Sequence, residues 1–222
     1  SGTVWKEIPF TLLAAFMVLI FGSDVFLEGA LVNEITRIEG IALLGFFVIF
    51  IVYTFGIREH AGERPQEIVE VHPTSKSVFY TIGGLVALAI GGQFVVVGAT
   101  AVAGAFGVTQ NLIALTVVAL GTSLPELVAS VVAARKGHQD LAIGNVVGSS
   151  IFNVFFVLAS TAIISPLVFA QANIIDAFAV VGATLILFIS LFAGKKHTIG
   201  KKEGFLLVTL YVAFIIYVIF RG

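Results

Sequence analysis

Ala119-Leu120-Gly121-Thr122-Ser123-Leu124-Pro125-Glu126-Leu127 sits in the middle of an apolar run that extends over 111–134. A carboxylate halfway along a stretch long enough to cross a bilayer costs about 3 kcal/mol or more to insert, so it faces a partner or a wet cavity rather than lipid. Pro125 has no N–H, and its ring presses on the carbonyl four residues back, that of Gly121. Gly121 loosens the same turn, so carbonyls around Ala119 to Thr122 can be released from helical bonding. Thr122 and Ser123 stand four and three residues before Glu126, which on a continuous helix puts them on its face. The stretch reads as a broken membrane helix that gathers a carboxylate, two hydroxyls and loose carbonyls near the bilayer centre. An acid in that position is functional by default.

The rest of the chain agrees with a membrane setting. Of its 222 residues 59% are apolar and 11% charged, and the mean hydropathy is +1.10. A soluble domain carries roughly 25% charged residues to wet its surface. The 21 Phe nearly match the 25 charged residues, so most apolar side chains must face lipid or one another. A net charge of −1 gives no electrostatic case for nucleic-acid binding. The absence of Cys excludes disulfide scaffolds, thiol catalysis and Cys-based metal centres. The opening Ser1-Gly2-Thr3, without Met, has the look of a processed end, with the natural N-terminus elsewhere.

Apolar runs near or above 18 residues fall at 8–26, 39–57, 78–106, 111–134, 141–164, 174–193 and 204–220. The fold class expected is all-α integral membrane, with about seven transmembrane helices; the polar–apolar alternation of a membrane barrel is missing. The third run is long enough to need a tilt or a kink. The connections sort the basic residues strongly. Lys6, Arg58, Arg64, Lys76, Arg135, Lys136, Lys195, Lys196, Lys201 and Lys202 fall on one side, and Arg37 and Arg221 on the other. The basic side stays inside, which makes residue 1 cytoplasmic and residue 222 extracellular in a multi-pass protein of the plasma membrane. That orientation is opposite to a seven-helix receptor's, and 204–220 lacks the Lys that a retinal protein needs.

An internal echo adds architecture. Arg37-Ile38-Glu39-Gly40 opens the second helix and Lys202-Glu203-Gly204 the seventh, each followed by an aromatic-aliphatic run that ends near a Tyr, Tyr53 or Tyr217. The two helices run in opposite directions by the charge count, as in the inverted-topology repeats of secondary transporters. Helices three to seven then form one five-helix unit, and helices one and two the end of an earlier one whose first three members lie outside the chain. Glu-Gly before a helix is also ordinary punctuation, so the pair alone leaves both readings open.

The fifth helix supplies a second polar stripe. Asn145, Ser149 and Asn153 are spaced by four and share a face, while Gly144 and Gly148 form a small-xxx-small pair. Gly83, Gly84, Gly91, Gly92 and Gly98 give the third helix a similar capacity for close approach. Oxygen donors with one formal charge suit a hard cation such as Ca²⁺ or Na⁺, and none of the four His lies mid-span. Taken singly, the hydroxyls can bond back to a carbonyl. Asn145 or Asn153 alone can be interhelical glue. Asp24 and Glu28 sit at the outer end of helix one, and Arg58 to Ser77 mixes both charges with Pro as a solvated linker does.

Gly121-Thr122-Ser123-Leu124-Pro125-Glu126-Leu127, followed by Gly144-Asn145-Val146-Val147-Gly148-Ser149 and Ile151-Phe152-Asn153, resembles the second alpha-repeat of the cation/calcium antiporter superfamily, especially its prokaryotic sodium/calcium exchangers. The resemblance extends more loosely over the whole chain, as the fourth to tenth helices of a ten-helix exchanger. It implies that five helices form one half of an inverted-repeat exchanger fold. The division implied is 1–57 as the end of the first repeat, 58–77 as a cytoplasmic linker, and 78–222 as the second repeat, with the alpha-repeat at 83–164. It also implies Glu126 as the central cation ligand. Ser123, Ser149 and Asn153 would supply side-chain oxygens, and Ala119 and Thr122 backbone or hydroxyl oxygens.

The function implied is antiport of Na⁺ and Ca²⁺ by alternating access, with no cofactor and no covalent chemistry, so the chain is not an enzyme. Asn153, where potassium-moving relatives have Asp, favours potassium independence, and Ser-Leu-Pro differs from the motif of proton-coupled relatives. Ser150 departs from the usual Asn. No first alpha-repeat with its own Glu occurs in 1–110, so the missing helices, in cis or from another chain, should carry it. With one carboxylate where the family supplies two, Ca²⁺ affinity should fall steeply. Two other functions fit the same residues: a Ca²⁺/H⁺ exchanger with Glu126 carrying the proton, and a non-transporting membrane subunit with a vestigial site. The expected partners are membrane lipid and the two ions.

Overall fold

A computed structural model describes residues 4–60, 73–108, 110–193 and 200–221. Among the described residues, five helices are long and apolar enough to cross a membrane: Arg37–Gly56, Thr74–Ala105, Gln139–Ile164, Gln171–Ser190 and Lys201–Arg221. A further span is a bent pair, Thr116–Thr122 and Leu124–Arg135, meeting at 49°. Glu7–Phe21 is apolar but shorter, about 22 Å at 1.5 Å per residue. All seven apolar runs therefore correspond to helices.

The first of them ends earlier than hydropathy predicts. Its helix, Val4–Phe21, stops before a separate turn, Asp24–Leu27, so 22–26 does not continue the span. Ser23 Oγ donates to Leu19 O at 2.6 Å and closes the last turn, and the Phe169 ring lies where a β-carbon on Gly22 would have to go. The solvated linker expected at 58–77 is also shorter. The second helix, Arg37–His60, runs into it and the third, Thr74–Ala105, begins inside it; 61–72 lies outside the described residues, as do Ser1 to Thr3, Lys195 and Lys196.

Helix ends follow local chemistry. Thr36 and Glu39 cap the second helix reciprocally: Thr36 N donates to Glu39 Oε2 at 2.7 Å, and Glu39 N to Thr36 Oγ1 at 3.3 Å. The seventh helix, Lys201–Arg221, begins with the Glu203 carboxylate folded back over Gly200, which has no side chain to complete such a reciprocal cap. At Gly107 and Gly137, with φ of 75° and 85°, the chain turns left-handed, as glycine permits without strain. His138 N then reaches Ala133 O at 2.9 Å and Gly137 N reaches Ala134 O at 3.1 Å, which ends the fourth span and reverses the chain into the fifth.

The core lies among the first, second, fifth and sixth helices. Ile8, Ala14, Leu43, Phe50, Val147, Ile151, Phe155 and Ala159 form one buried cluster. Val147, Ile151, Phe155 and Ala159 are spaced by four and give the fifth helix its buried face. Phe46 stacks on Phe155 at 5.7 Å, and Phe47 meets Phe152 and Phe156 at 5.8 and 5.2 Å. A β-carbon on Gly40 would stand 2.8 Å from Ala159 O, so glycine is what lets the second helix lie against the fifth. Lipid tails are as apolar as these side chains, so close packing rather than escape from water drives the contact.

One end of this body is tied by loops. Strand β1 (Glu34–Ile35) pairs antiparallel with β2 (Leu167–Val168), and Phe169 N donates to Asn33 O at 2.8 Å. Asp24 Oδ2 accepts from Glu34 N and Asn33 Oδ1 from Val25 N, each at 2.8 Å. Asp24, expected only to sit at an interface, thus shapes the loop that joins the first two helices. Across the sixth helix, Gln171–Ala193, Arg221 holds Asp176 through two contacts of 2.7 and 3.1 Å and pins the end of the seventh.

Candidate cation site

The fourth span is segmented. Gln110–Ile113 leads into a π-helical stretch, Ala114–Val118, then a single α-turn, Ala119–Thr122, a break at Ser123, and a second limb, Leu124–Arg135. Pro125 lies in the first turn of that limb, where a missing N–H costs no helical bond. The break alters one expectation. Thr122 and Ser123 do not share a continuous helix face with Glu126; they belong to the turn before the bend. Both hydroxyls donate to Ala119 O at 3.1 Å, and Ser123 N donates to Leu120 O at 3.1 Å.

Glu126 lies in the first turn of the second limb. A helix N-terminus has unpaired N–H groups and partial positive charge, so the bend itself favours a carboxylate there. Its Oε2 is buried without a hydrogen-bond partner among the described residues. Such an atom is costly unless something else neutralises it.

The third helix crosses this bend. A β-carbon on Gly92 would lie 3.6 Å from Gly121 O and 3.7 Å from Pro125 Cγ, and one on Gly121 would collide with Val96. Glycine is therefore required at Gly121 for approach as well as for the break. One turn beyond Val96, the Thr100 hydroxyl is a second buried oxygen without a partner among the described residues. A lone Thr in an apolar helix carries no sequence signal, and nothing in the pattern singled it out. Gly83, Gly84, Gly91 and Gly98 do not pack as their spacing suggested: a β-carbon on any of them would meet nothing within 4 Å. They lie on a face that the described chain does not cover.

The fifth helix packs beside the second limb as an antiparallel hairpin. Asn145 Nδ2 donates to Glu126 O at 3.1 Å and to Ser130 Oγ at 2.9 Å. Of the two roles open to Asn145, the structure gives it interhelical glue, and this bond fixes the register. Ser149 lies one turn further, about 6 Å along the axis, level with the start of the second limb, and Asn153 a further turn on. Ser149 Oγ donates to Val146 O at 3.1 Å, as Ser150 Oγ does at 2.9 Å. Asn153 opens a second π-helical stretch, Asn153–Leu158, and is exposed. A β-carbon on Gly148 would meet nothing within 4 Å, so the expected close backbone approach does not occur there.

The donor set contains oxygens only. Each hydroxyl that gives its proton to a carbonyl keeps lone pairs for a cation. Ala119 O differs, since it already accepts two hydroxyl protons. Among the described residues no cluster of three or more His, Cys, Asp or Glu occurs. Both polar helices carry a π-helical stretch, a feature that recurs at functional sites and that no residue pattern announced.

Known proteins resemble this chain in sequence and in fold. The family model described as Sodium/calcium exchanger protein matches residues 76–220. The putative antiporter CaxA of Alkalimonas amylolytica is 35% identical over 223 residues, covering 96% of this chain and 67% of that protein. The sodium/calcium exchanger MaX1 of Methanosarcina acetivorans is 36% identical over 143 residues, 64% of this chain and 40% of its own length. The solved structure of the sodium-calcium exchanger NCX_Mj soaked with Na⁺ and Sr²⁺ superposes with a TM-score of 0.74 at 28% identity. That match covers 97% of this chain and 66% of the NCX_Mj chain, so the chain spans just under two thirds of that exchanger. Its architecture is an all-α membrane exchanger fold. The chain belongs to the sodium/calcium exchanger family.

Proposed function

We propose that the complete protein exchanges Na⁺ for Ca²⁺ across the plasma membrane by alternating access, with Glu126 as the central cation ligand. The observation that carries this reading is the buried Glu126 Oε2 left without a partner at the bend of a broken span. Ser123, Thr122, Ser149 and Asn153 add neutral oxygens. Ala119 contributes its carbonyl once the Thr122 and Ser123 protons rotate away from it, which is a low-barrier motion for a hydroxyl. Loading Ca²⁺ or Na⁺ compensates the same negative charge, so the ions compete and their fluxes couple.

In this reading 1–57 ends a first inverted repeat, 58–77 links it on the cytoplasmic side to 78–222, and the second carboxylate comes from three further helices in cis or from another chain. Residue 1 is cytoplasmic and residue 222 extracellular. No covalent step and no cofactor enter the cycle. The relatives named as exchangers support the ion pair Na⁺ and Ca²⁺, and the oxygen-only donor set is compatible with both.

The test is calcium flux into vesicles reconstituted with the complete protein. Uptake should require an outward Na⁺ gradient and ignore a proton gradient, and Glu126→Gln should abolish it. Flux that follows the proton gradient would make the protein a Ca²⁺/H⁺ exchanger. Normal assembly of Glu126→Gln together with absent flux in the unsubstituted protein would leave a structural subunit.

A further inference from the structure

The two arms of the hairpin that carries Glu126 are anchored unequally. The fifth helix is fixed by the core, where Val147, Ile151 and Phe155 are buried. The second limb of the fourth span, Leu124–Arg135, buries Ala133 alone, close to the turn at Gly137. Glu126 lies seven residues before Ala133, about 10 Å along the axis, where the limb has no buried side chain of its own.

Asn145 reaches that part of the limb from the fixed helix. Its Nδ2 donates to Glu126 O at 3.1 Å and to Ser130 Oγ at 2.9 Å. A carbonyl can only accept, so the amide turns its nitrogen to the limb, with one proton for each oxygen. The local alternative is visible elsewhere: Thr54, Thr116, Thr161, Thr184 and Thr209 each donate to the carbonyl four residues back. For Ser130 that carbonyl is Glu126 O, and Asn145 meets it instead. The bond thus falls on the main chain of Glu126 itself, from which the buried carboxylate projects.

We infer that Asn145 is a positioning residue for the cation site. By holding Glu126 O against the anchored fifth helix, it keeps the carboxylate in constant relation to Ser149, one turn further along that helix. Ser130 takes the second amide proton and keeps the amide turned toward the limb. The inference rests on Glu126 being the cation ligand. Groups that hold a metal ligand in place typically cost about 10–100-fold in affinity when removed.

Calcium titration of the purified, monodisperse complete protein and its variants tests it. Asn145→Ala should weaken Ca²⁺ binding about 10–100-fold. In a Glu126→Gln background the same substitution should change affinity by less than about threefold, because the carboxylate it serves is gone. Ser130→Ala, which leaves the bond to Glu126 O in place, should cost less than Asn145→Ala. Asn145→Leu, close to Asn in volume but without a donor, should match Asn145→Ala and supplies the reading where the smaller side chain does not fold. Equal losses with and without the Glu126 carboxylate overturn the inference, since Asn145 would then only fasten the fold. A Ser130→Ala loss as large as that of Asn145→Ala overturns it too, by assigning the effect to the register of the hairpin. Unchanged affinity in Asn145→Ala, with binding lost in Glu126→Gln, overturns the inference and leaves Glu126 as the ligand. Glu126→Gln that binds Ca²⁺ as tightly as the unsubstituted protein overturns both.

Discussion

The second and fifth helices meet across Gly40 and Ala159 so closely that no side chain fits between them, and Leu43, Phe155 and Ile151 are fully buried nearby. The third helix is longer than either at 32 residues, yet none of its residues is buried and five of its glycines face open space. The first region is complete within this chain: its shape, its aromatic contacts and its loop clasp all find partners. The second, together with the bend it crosses at Gly92 and Val96, carries the Oε2 of Glu126 and the hydroxyl of Thr100, both without a partner among the described residues. Among the described residues, close packing and unpartnered oxygens thus fall in different parts of the molecule. A cation site needs oxygens that the protein itself leaves unsatisfied, and a packed body cannot tolerate them.

The sharpest test of that division is Glu126→Gln. Removing the charge should lower Ca²⁺ affinity of the complete protein by at least about 100-fold, because ligand charge sets Ca²⁺ affinity. Thermal stability should hold or rise, since the substitution removes a buried charge with no partner. Isothermal titration with Ca²⁺ and a melting curve on the same sample give both numbers. Equal affinity in the two proteins would place the cation elsewhere and end the comparison.

The opposite pattern is expected in the packed body. Phe155→Ala should cost about 3 kcal/mol or more, as truncation of a fully enclosed aromatic does, with Ca²⁺ affinity of the folded fraction unchanged. Phe94, 74% exposed on the third helix, should tolerate Ala at a cost below about 0.5 kcal/mol. Unfolding of both variants in graded denaturant within one lipid mixture measures the difference. Similar losses would mean that the third helix is as deeply packed as the fifth.

Much of this division was legible in the sequence. Seven apolar runs announced seven helices because a bilayer demands about 20 residues per crossing, and a mid-span Glu beside Pro announced a broken span with a buried carboxylate because both are costly there. The bend and its consequences were less legible. Spacing alone put Thr122 and Ser123 on the face of Glu126, and only a break that resets the helix at Ser123 separates them. The π-helical stretches have no residue signature. The pairing of Glu34 and Ile35 with Val168 and Leu167 joins two-residue strands far apart in the chain, below what alternation can reveal. Which glycines pack was hidden as well: Gly92 and Gly91 are neighbours with the same side chain, and only the crossing direction of the third helix distinguishes them.

Gly121 stands at the seam between the regions and refines the comparison further. Gly121→Ala would drive its new methyl into Val96, a clash of the kind that costs about 1–3 kcal/mol. Val96→Ala in the same chain should restore most of that loss by clearing the space. Gly98→Ala, on the uncovered face of the same third helix, should be close to neutral in this chain. Melting temperatures of the single and double variants decide the matter. An unrescued Gly121→Ala would show that backbone freedom at the bend, and not the approach of Val96, is what requires glycine.

The smallest effect belongs to a charged contact that links the sixth and seventh helices. Asp176 and Arg221 are 24% and 18% exposed, joined by two hydrogen bonds, with the guanidinium carbon 5.5 Å from the Tyr217 ring centre. Two-point geometry favours the pair, but partial access to water screens it, so Asp176→Asn should cost only about 0.5–1 kcal/mol. Asn keeps an oxygen for one of the two bonds, and Arg221 also reaches Ala172 O at 3.3 Å, so the seventh helix stays attached. The loss should shrink in high salt, since the lost component is electrostatic. A larger, salt-independent loss would mean that this end of the molecule relies on the pair as the core relies on Phe155, and the separation of packing from polar chemistry would fail there.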